Sequence, residues 1–145
     1  MTPKAKNSRA VSRRREAVTR RSGPGEKWLE QVRECALALP ETSERLSHGA
    51  PSFFIKKTKN FLNFAENHHG DGRIALWAAA TLDAQQLLVN AEPKHFFVPA
   101  YVGHLGWVGV NLDKGIAFKK VKAIIEQAWR ERAPAKLLGP DTPRP

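Results

Sequence analysis

The stretch PAYVGHLGWVGVNL, residues 99–112, decides how the second half of the chain folds. It spaces three glycines by three residues: Gly103, Gly106 and Gly109. This spacing differs from the G-x-G-x-x-G pattern of dinucleotide-binding loops, and no Gly-Lys-Ser/Thr follows it as in a P-loop. Glycines within a strand pattern instead indicate a bend or the close approach of another segment. The stretch therefore predicts a bent strand rather than a phosphate-binding loop.

The segments on either side of this stretch have the patterns of short strands and a few helices. Apolar residues at helical spacing predict helices over 26–39, 81–90 and 116–132, with Thr81 or Asp83 as the cap of the second. Alternating patterns predict strands over 41–48, 52–55, 60–65, 73–80, 94–98 and 106–112. Because the strands follow one another without a βαβ rhythm, we predict an α+β fold. Its mainly antiparallel sheet packs on two helices near the domain termini.

The charge of the chain is concentrated at its N-terminus. Residues 1–25 hold eight of the 24 Lys and Arg but one of the 14 Asp and Glu, within a net charge of +10. With almost no large apolar side chains, this segment is predicted to be a disordered basic arm. Residues 26–132 are the predicted domain, and residues 133–145, with four prolines, are a predicted irregular tail. The basic composition favours a polyanionic partner such as DNA or another nucleic acid.

Composition and motifs exclude several classes of function. Cys35 is the only cysteine, so the chain has no internal disulfide and no cysteine metal cluster. The five histidines match no metal-ligand spacing, and no nucleophile–base pair or carboxylate pair stands out. We therefore predict a protein that is not an enzyme and that holds no metal or cofactor. No apolar run reaches the roughly 18 residues of a membrane span, so we predict a cytoplasmic protein without a membrane partner.

Two polar segments are predicted to face solvent. His68 and His69 adjoin Gly70-Asp71-Gly72, a composition typical of an exposed turn. On the first helix, a charged stripe is predicted opposite the apolar face. Its members are Glu26, Glu30 and Glu34, mixed with Lys27 and Arg33.

The alternation of the strands predicts a candidate nucleic-acid interface. It assigns Trp77 and Trp107 to the sheet face that the helices do not cover. Lysines at a hairpin tip would contact phosphates, and aromatic rings would stack on bases. The residues predicted for this interface are Lys56, Lys57, Lys59, Arg73, Trp77, Tyr101 and Trp107. No helix rich in Arg, Asn or Gln is present, so strong sequence specificity is not predicted.

Other interpretations of the same residues stay open. In one alternative, a loop, a tail or a second copy of the chain covers the two tryptophans. A second copy would make the protein an interaction module that uses this face as a dimer surface, so the predicted state is a monomer or weak homodimer. In another, the protein binds a small molecule, or acts on it, in a pocket near His48, Tyr101, His104 and Trp107. A deep concave site favours the small molecule, whereas a flat or convex basic face favours DNA.

Two motifs carry a resemblance to a known family. HGAPSF at residues 48–53 and PAYVGHLGWV at 99–108 are similar to motifs of the MmcQ/YjbR-like family of small bacterial proteins. The resemblance covers about residues 26–131 and implies a fold similar to that of frataxin (CyaY-like), with one helix near each end of the domain. It also implies DNA binding through two β-wings, and it supplies no catalytic residues. The stretch ENHHGDGRIALW and the Arg-rich arm depart from the family pattern.

Overall fold

The computed structural model describes residues 24–139 of the 145-residue chain. The predicted basic arm, apart from its last two residues, and the end of the predicted tail lie outside this range. Within it there are three α-helices: α1 Glu26–Leu37, α2 Leu82–Ala91 and α3 Phe118–Arg132. The same range contains six strands: β1 Thr42–Ser47, β2 Ala50–Ile55, β3 Lys59–Glu66, β4 Ile74–Ala78, β5 Phe96–Phe97 and β6 Val108–Asn111.

The strands form one sheet in the order β1-β2-β3-β4-β6-β5, and every pairing within the described range is antiparallel. The first four strands are neighbours in sequence and in space, as hairpins require. The chain then leaves the sheet through α2 and returns as the edge strand β5 before β6 inserts beside β4. This arrangement confirms the predicted α+β fold with helices near the domain termini.

Helices α1 and α3 pack on one face of the sheet. Phe53 pairs with Leu62 across β2 and β3, and Leu76 pairs with Val110 across β4 and β6. All four side chains are fully buried, and so are their helical partners Val32 and Ile125. Because side chains alternate along a strand, the residues between these positions lie on the opposite face, which α1 and α3 do not cover.

Side-chain hydrogen bonds mark the start of α2 and the end of α1. Thr81 Oγ1 accepts a hydrogen bond from Ala84 N at 3.1 Å, which confirms Thr81 as the cap of α2. At the C-terminal end of α1, the hydroxyl of Thr42 is within hydrogen-bond distance, 2.9 Å, of the carbonyls of Ala36 and Leu39. These contacts join the end of α1 to the start of β1. Among residues 24–139, no helix combines the length and the apolar composition that crossing a membrane requires.

The glycines of residues 99–112 are sites of close approach. A Cβ atom on Gly109 would overlap the ring of Phe97 on the neighbouring strand. Gly106 has a φ of +103°, and a Cβ there would lie 2.7 Å from the backbone nitrogen of Leu82. Residues 99–112 therefore form two parts: a tight turn that packs against the start of α2, and then a strand that begins only at Val108. This packing accounts for the glycines without any role in binding a phosphate.

The charged stripe of α1 differs from the solvated one that the sequence predicts. Arg33 is only 7% exposed. It donates to Glu44 of β1 through Nε at 2.6 Å and Nη2 at 2.8 Å, and to Glu30 through Nη1 at 2.9 Å. Burial opposes its charge, but the hydrogen bonds and charges of Glu44 and Glu30 outweigh this and raise the pKa of Arg33. The pair of Arg33 and Glu44 connects α1 to the edge strand.

Replacing Arg33 tests this connection. In Arg33→Ala, the Glu44 carboxylate, 13% exposed, loses its bidentate partner. We expect the free energy of unfolding to fall by about 3 kcal/mol, measured by urea denaturation. Lys27→Ala removes an exposed cation from the same helix and should change that free energy by no more than about 0.5 kcal/mol. Equal effects of the two substitutions would contradict a stabilising role for the buried pair.

Candidate ligand-binding cavity

The sheet face opposite α1 and α3 carries small and polar side chains near its centre. In register across β2, β3, β4 and β6 lie Ser52, Asn63, Trp77 and Gly109. Ser52 and Asn63 are short, whereas their strand neighbours Phe53 and Leu62 face the helices with large apolar side chains. This difference leaves room over β2 and β3, next to the larger ring of Trp77 on β4.

A cavity of about 630 Å³ occupies this space. Strands β1 to β4 form its floor, and two connections form its cover: the β3–β4 loop and the segment that precedes β6. The residues that line it are Ser47, His48, Ala50, Ser52, Phe54, Asn60, Asn63, Phe64, Ala65, His68, His69, Trp77, Tyr101 and Val102. The lining therefore combines aromatic rings, three imidazoles and neutral hydrogen-bonding groups.

A cluster of four rings joins the two parts of the cover. His68 packs edge-on against Trp77, with 4.8 Å between ring centroids, and lies 5.9 Å from Tyr101. The hydroxyl of Tyr101 is 3.2 Å from Nε2 of His69. Tyr101 itself is 69% exposed. The cluster thus closes one side of the cavity, and its side chains are held there only by these ring contacts and one hydrogen bond.

Three of the lining residues have left-handed backbone conformations that non-glycine residues rarely adopt. The φ angles are 51° at His48, 50° at His69 and 63° at Tyr101. Such residues are uncommon, and they cluster at ligand sites, where the surrounding structure holds them in place. His48 belongs with Gly49, whose φ is 78°, to the two-residue turn between β1 and β2, where positive φ is usual, whereas His69 and Tyr101 belong to the two connections that cover the cavity.

Two side chains of the cavity, Trp77 and Asn63, carry donors without a partner among the described residues. Trp77 is 8% exposed, and its indole Nε1 has no hydrogen-bond partner within residues 24–139. Asn60 Nδ2 donates to Asn63 Oδ1 at 2.9 Å, which leaves the amide nitrogen of Asn63 as a donor toward other partners. Among the described residues, no Asp, Glu, Lys or Arg lines the cavity. A ligand with hydrogen-bond acceptors would match this lining.

A basic cluster adjoins the cavity at its Phe54 wall. The guanidinium of Arg45 lies 3.6 Å from the ring centroid of Phe54, and its Nη1 donates to the carbonyl of Lys57 at 2.9 Å. Lys56 and Lys57 form the β2–β3 turn, both with positive φ, and Lys59 begins β3. All four cations are exposed. We call Arg45, Lys56, Lys57 and Lys59 the basic rim.

The structure brings together only some of the residues predicted for the two candidate sites. His48, Trp77 and Tyr101 line the cavity, and Lys56, Lys57 and Lys59 lie in its basic rim. His104 is exposed and Trp107 is 6% exposed, and neither belongs to the lining. The carbonyl of Trp107 instead accepts a hydrogen bond from Gln85 of α2 at 2.7 Å. Arg73 stacks on Phe97 and donates to Asn111, beyond the cavity.

Sequence reasoning missed several lining residues. His68 is half-buried against Trp77, whereas the sequence predicts an exposed turn for it. Asn63 and Ser52 carried a usable signal, because they alternate with phenylalanine and leucine in strands that are otherwise apolar. Both tryptophans are buried, and at Trp77 the β3–β4 loop supplies the cover, which is one of the alternatives left open above.

Other reactive groups lie away from this face. Burial raises the pKa of the Cys35 thiol on α1, as expected for an inert thiol beside the core. Within residues 24–139, no three His, Cys, Asp or Glu side chains are grouped so that they could hold a metal ion.

The fold and this cavity define an α+β protein with helices on one side of the sheet and a candidate ligand site on the other. The YjbR family model matches residues 37–131, and the chain belongs to that family. The crystal structure of the Deinococcus radiodurans protein DR2400, with a DUF419 domain, has a similar fold. The two share 15% sequence identity and a TM-score of 0.60, over 70% of this chain and 75% of that one. No curated protein matches the chain.

The unpartnered indole of Trp77 predicts an unequal response of two buried tryptophans. Trp129, 6% exposed, donates from Nε1 to the Pro40 carbonyl at 3.1 Å. Trp129→Phe removes that bond, whereas Trp77→Phe removes a donor that has no partner. We expect Trp129→Phe to lower the free energy of unfolding by about 1–2 kcal/mol more than Trp77→Phe does, measured by urea denaturation. A larger decrease in Trp77→Phe would show that its indole nitrogen is bonded in solution.

Proposed function

We propose that this protein binds a small organic ligand in the cavity on the uncovered sheet face. The observation that carries the proposal is the cavity itself, about 630 Å³ and lined by aromatic rings with a few neutral polar groups. Ligand sites in proteins typically enclose about 300–1,000 Å³ with this kind of lining. The left-handed backbone at His69 and Tyr101, in the two connections that cover the cavity, supports the same proposal, since strained residues cluster at ligand sites.

The burial of the tryptophans supports a concave site over a flat stacking platform. The rings of Trp77 and Trp107 are 8% and 6% exposed, so neither offers a face to a nucleic-acid strand in this conformation. Tyr101 is exposed and tied to the β3–β4 loop by one hydrogen bond. In the proposal, Tyr101 and His69 form a movable cover, and Ser52 and Asn63 form the floor.

Filling the cavity tests this function. Ala65 lines the cavity and is 7% exposed, so Ala65→Phe places a ring inside it. We expect planar aromatic fragments that raise the melting temperature of the wild-type protein to lose this effect in Ala65→Phe and in Ala50→Phe, measured by thermal-shift titration. Ala123→Phe, at an exposed position of α3, is the matched control and should keep the effect.

Two results of that titration count against cavity binding. Fragments that stabilise Ala65→Phe and Ala50→Phe as well as the wild type bind elsewhere. A library of several hundred fragments in which none stabilises the wild type would show that the cavity does not select a planar ligand.

Nucleic-acid binding is a second candidate, favoured by the basic rim. Arg45, Lys56, Lys57 and Lys59 are exposed on one hairpin region, and residues 1–25 add eight further cations in sequence. Phosphate contacts by such a cluster would give affinity without strong sequence specificity. In this candidate the rim holds the backbone, and the neighbouring cavity is free to receive a base.

Charge-matched variants test the second candidate. Lys56, Lys57 and Lys59→Ala removes three cations from the rim, while Lys119, Lys122 and Lys136→Ala removes three from the opposite, helical side. We expect the rim variant alone to weaken binding of labelled single-stranded DNA, measured by fluorescence anisotropy. Its salt slope should be smaller by about 0.7 for each phosphate that the variant no longer neutralises.

A third variant separates the domain from the N-terminal segment. Arg13, Arg14 and Arg15→Ala changes only residues outside the described structure. Binding that falls with this variant and not with the rim variant assigns DNA affinity to the N-terminal segment. If DNA affinity falls equally in the rim variant and the helical variant, the affinity depends on the net charge of the protein and not on the position of the rim.

A further inference from the structure

We propose that the ligand is a nucleotide, with its base in the cavity and its phosphate at Arg45 and the Lys56–Lys57 turn. The inference rests on the proposed function, since it names the ligand class of the same cavity. Two independent observations carry it. One is the arrangement of donors inside the cavity, and the other is a group of cations at one edge of it that have no acidic partner among the described residues.

The donors inside the cavity suit the edge of a nucleobase. Asn63 and Trp77 lie directly opposite each other on β3 and β4, so their side chains are neighbours on the cavity floor. The amide nitrogen of Asn63 and the unpartnered Nε1 of Trp77 are both donors. Nε1 of Trp77 is closed to solvent, so a ligand acceptor reaches it only when the cover formed by His69 and Tyr101 moves; such an acceptor removes the penalty of a buried donor without a partner. Guanine at O6 and N7, and cytosine at O2 and N3, present a carbonyl oxygen beside an unprotonated ring nitrogen, which gives two acceptors to two donors.

The lining also suits the faces of a base and its lack of charge. Phe54, His68 and Tyr101 supply ring surfaces around the donors. Stacking of bases on aromatic side chains is tolerant of base identity, because every base has a π-face. Within the described residues the lining contains no carboxylate, so it offers no ion pair to a cationic ligand such as an amine.

The cations at the Phe54 wall suit a phosphate. Arg45 lies on the ring of Phe54, and Phe54 itself lines the cavity. Only its Nη1 is occupied, by the Lys57 carbonyl, so Nε and Nη2 are free to donate. Among residues 24–139, Arg45, Lys56 and Lys57 form no salt bridge. A guanidinium with two free donors matches a phosphate in geometry and charge.

Two sources could supply this chemistry: a free nucleoside monophosphate, or a nucleotide unit within a single-stranded nucleic acid. Both place a base in the cavity and a phosphate at the rim. They differ in the number of phosphate contacts, and hence in how steeply affinity falls with salt.

The test follows the indole ¹⁵N–¹H signal of Trp77 in the full chain. The chain has four tryptophans, and Trp77→Phe assigns the signal by its disappearance. Titrations use AMP, GMP, CMP and UMP, the four nucleosides, ribose 5-phosphate, and indole as a neutral planar probe. An unphosphorylated eight-nucleotide DNA strand, at two salt concentrations, distinguishes the strand from the free nucleotide.

We expect the monophosphates to shift the Trp77 signal and to bind about tenfold or more tightly than the nucleosides, because the phosphate adds charge-assisted hydrogen bonds. Arg45→Gln should abolish this difference and leave nucleoside binding unchanged. Asn63→Ala should weaken monophosphates and nucleosides alike. Lys122→Gln removes an exposed cation from α3 and should alter neither.

The outcomes separate this inference from the proposed function. A Trp77 shift with indole but not with any monophosphate overturns the nucleotide and leaves cavity binding intact. No shift with any probe overturns both. Monophosphate binding that is unchanged in Arg45→Gln overturns the placement of the phosphate. Tighter binding of the strand with a steep salt dependence supports the nucleotide within nucleic acid, and weaker binding supports the free nucleotide.

Discussion

One constraint organises the molecule: two of its helices cover one face of a six-stranded sheet and leave the other to the loops. Phe53, Leu62, Leu76 and Val110 bury their side chains completely against α1 and α3. Since side chains alternate along each strand, the neighbours of these residues must face the other way. Within residues 24–139 no further α-helix lines the cavity on that face, so the β3–β4 loop and the segment before β6 cover it incompletely.

The incomplete cover gives the face its chemistry. Packing by irregular backbone needs residues in unusual conformations, and His69 and Tyr101 adopt them where the two segments meet. The ring cluster of His68, His69, Trp77 and Tyr101 fills the space at one side and leaves about 630 Å³ at the other. At the opposite edge, β1 is held to α1 by the Arg33–Glu44 pair, which fixes the strand that carries Arg45. The cavity and its basic rim therefore depend on the same sheet.

The fold follows from the sequence to a large extent, because it is encoded in local patterns. Period-two alternation separates Leu76 from Trp77, and the hydroxyl of Thr81 marks the start of α2 without any tertiary information. Helical periodicity predicts that Arg33 faces solvent, because this kind of analysis treats every charged residue as part of a polar face. The burial of Arg33 depends on Glu44, eleven residues away on another element. A pairing of that kind can be seen only when the elements are assembled.

The site can be predicted less completely than the fold, for a similar reason. Counting alternation back from β6 places Trp107 beside Trp77, but the strand begins after the left-handed turn at Gly106, so the count does not reach Trp107. His68 lies in a segment whose composition indicates an exposed turn, and only the ring of Trp77 beneath it makes it part of a wall. Loop residues take their role from what they cover, and that information is not local.

The solvent exchange of the indole N–H groups, measured by NMR on the ligand-free chain, tests the open cavity most directly. Nε1 of Trp77 is buried beneath the cover of the cavity and has no hydrogen-bond partner among the described residues, whereas Nε1 of Trp129 donates to the Pro40 carbonyl. Exchange requires both access of water and freedom from a hydrogen bond. The Trp77 indole proton lacks a hydrogen bond and is shielded from water by the cover that we propose to be movable, so we expect it to exchange faster than that of Trp129. Equal protection of the two protons would contradict an unbonded donor beneath a movable cover, since it would mean that the cover stays closed or that the donor already has a partner.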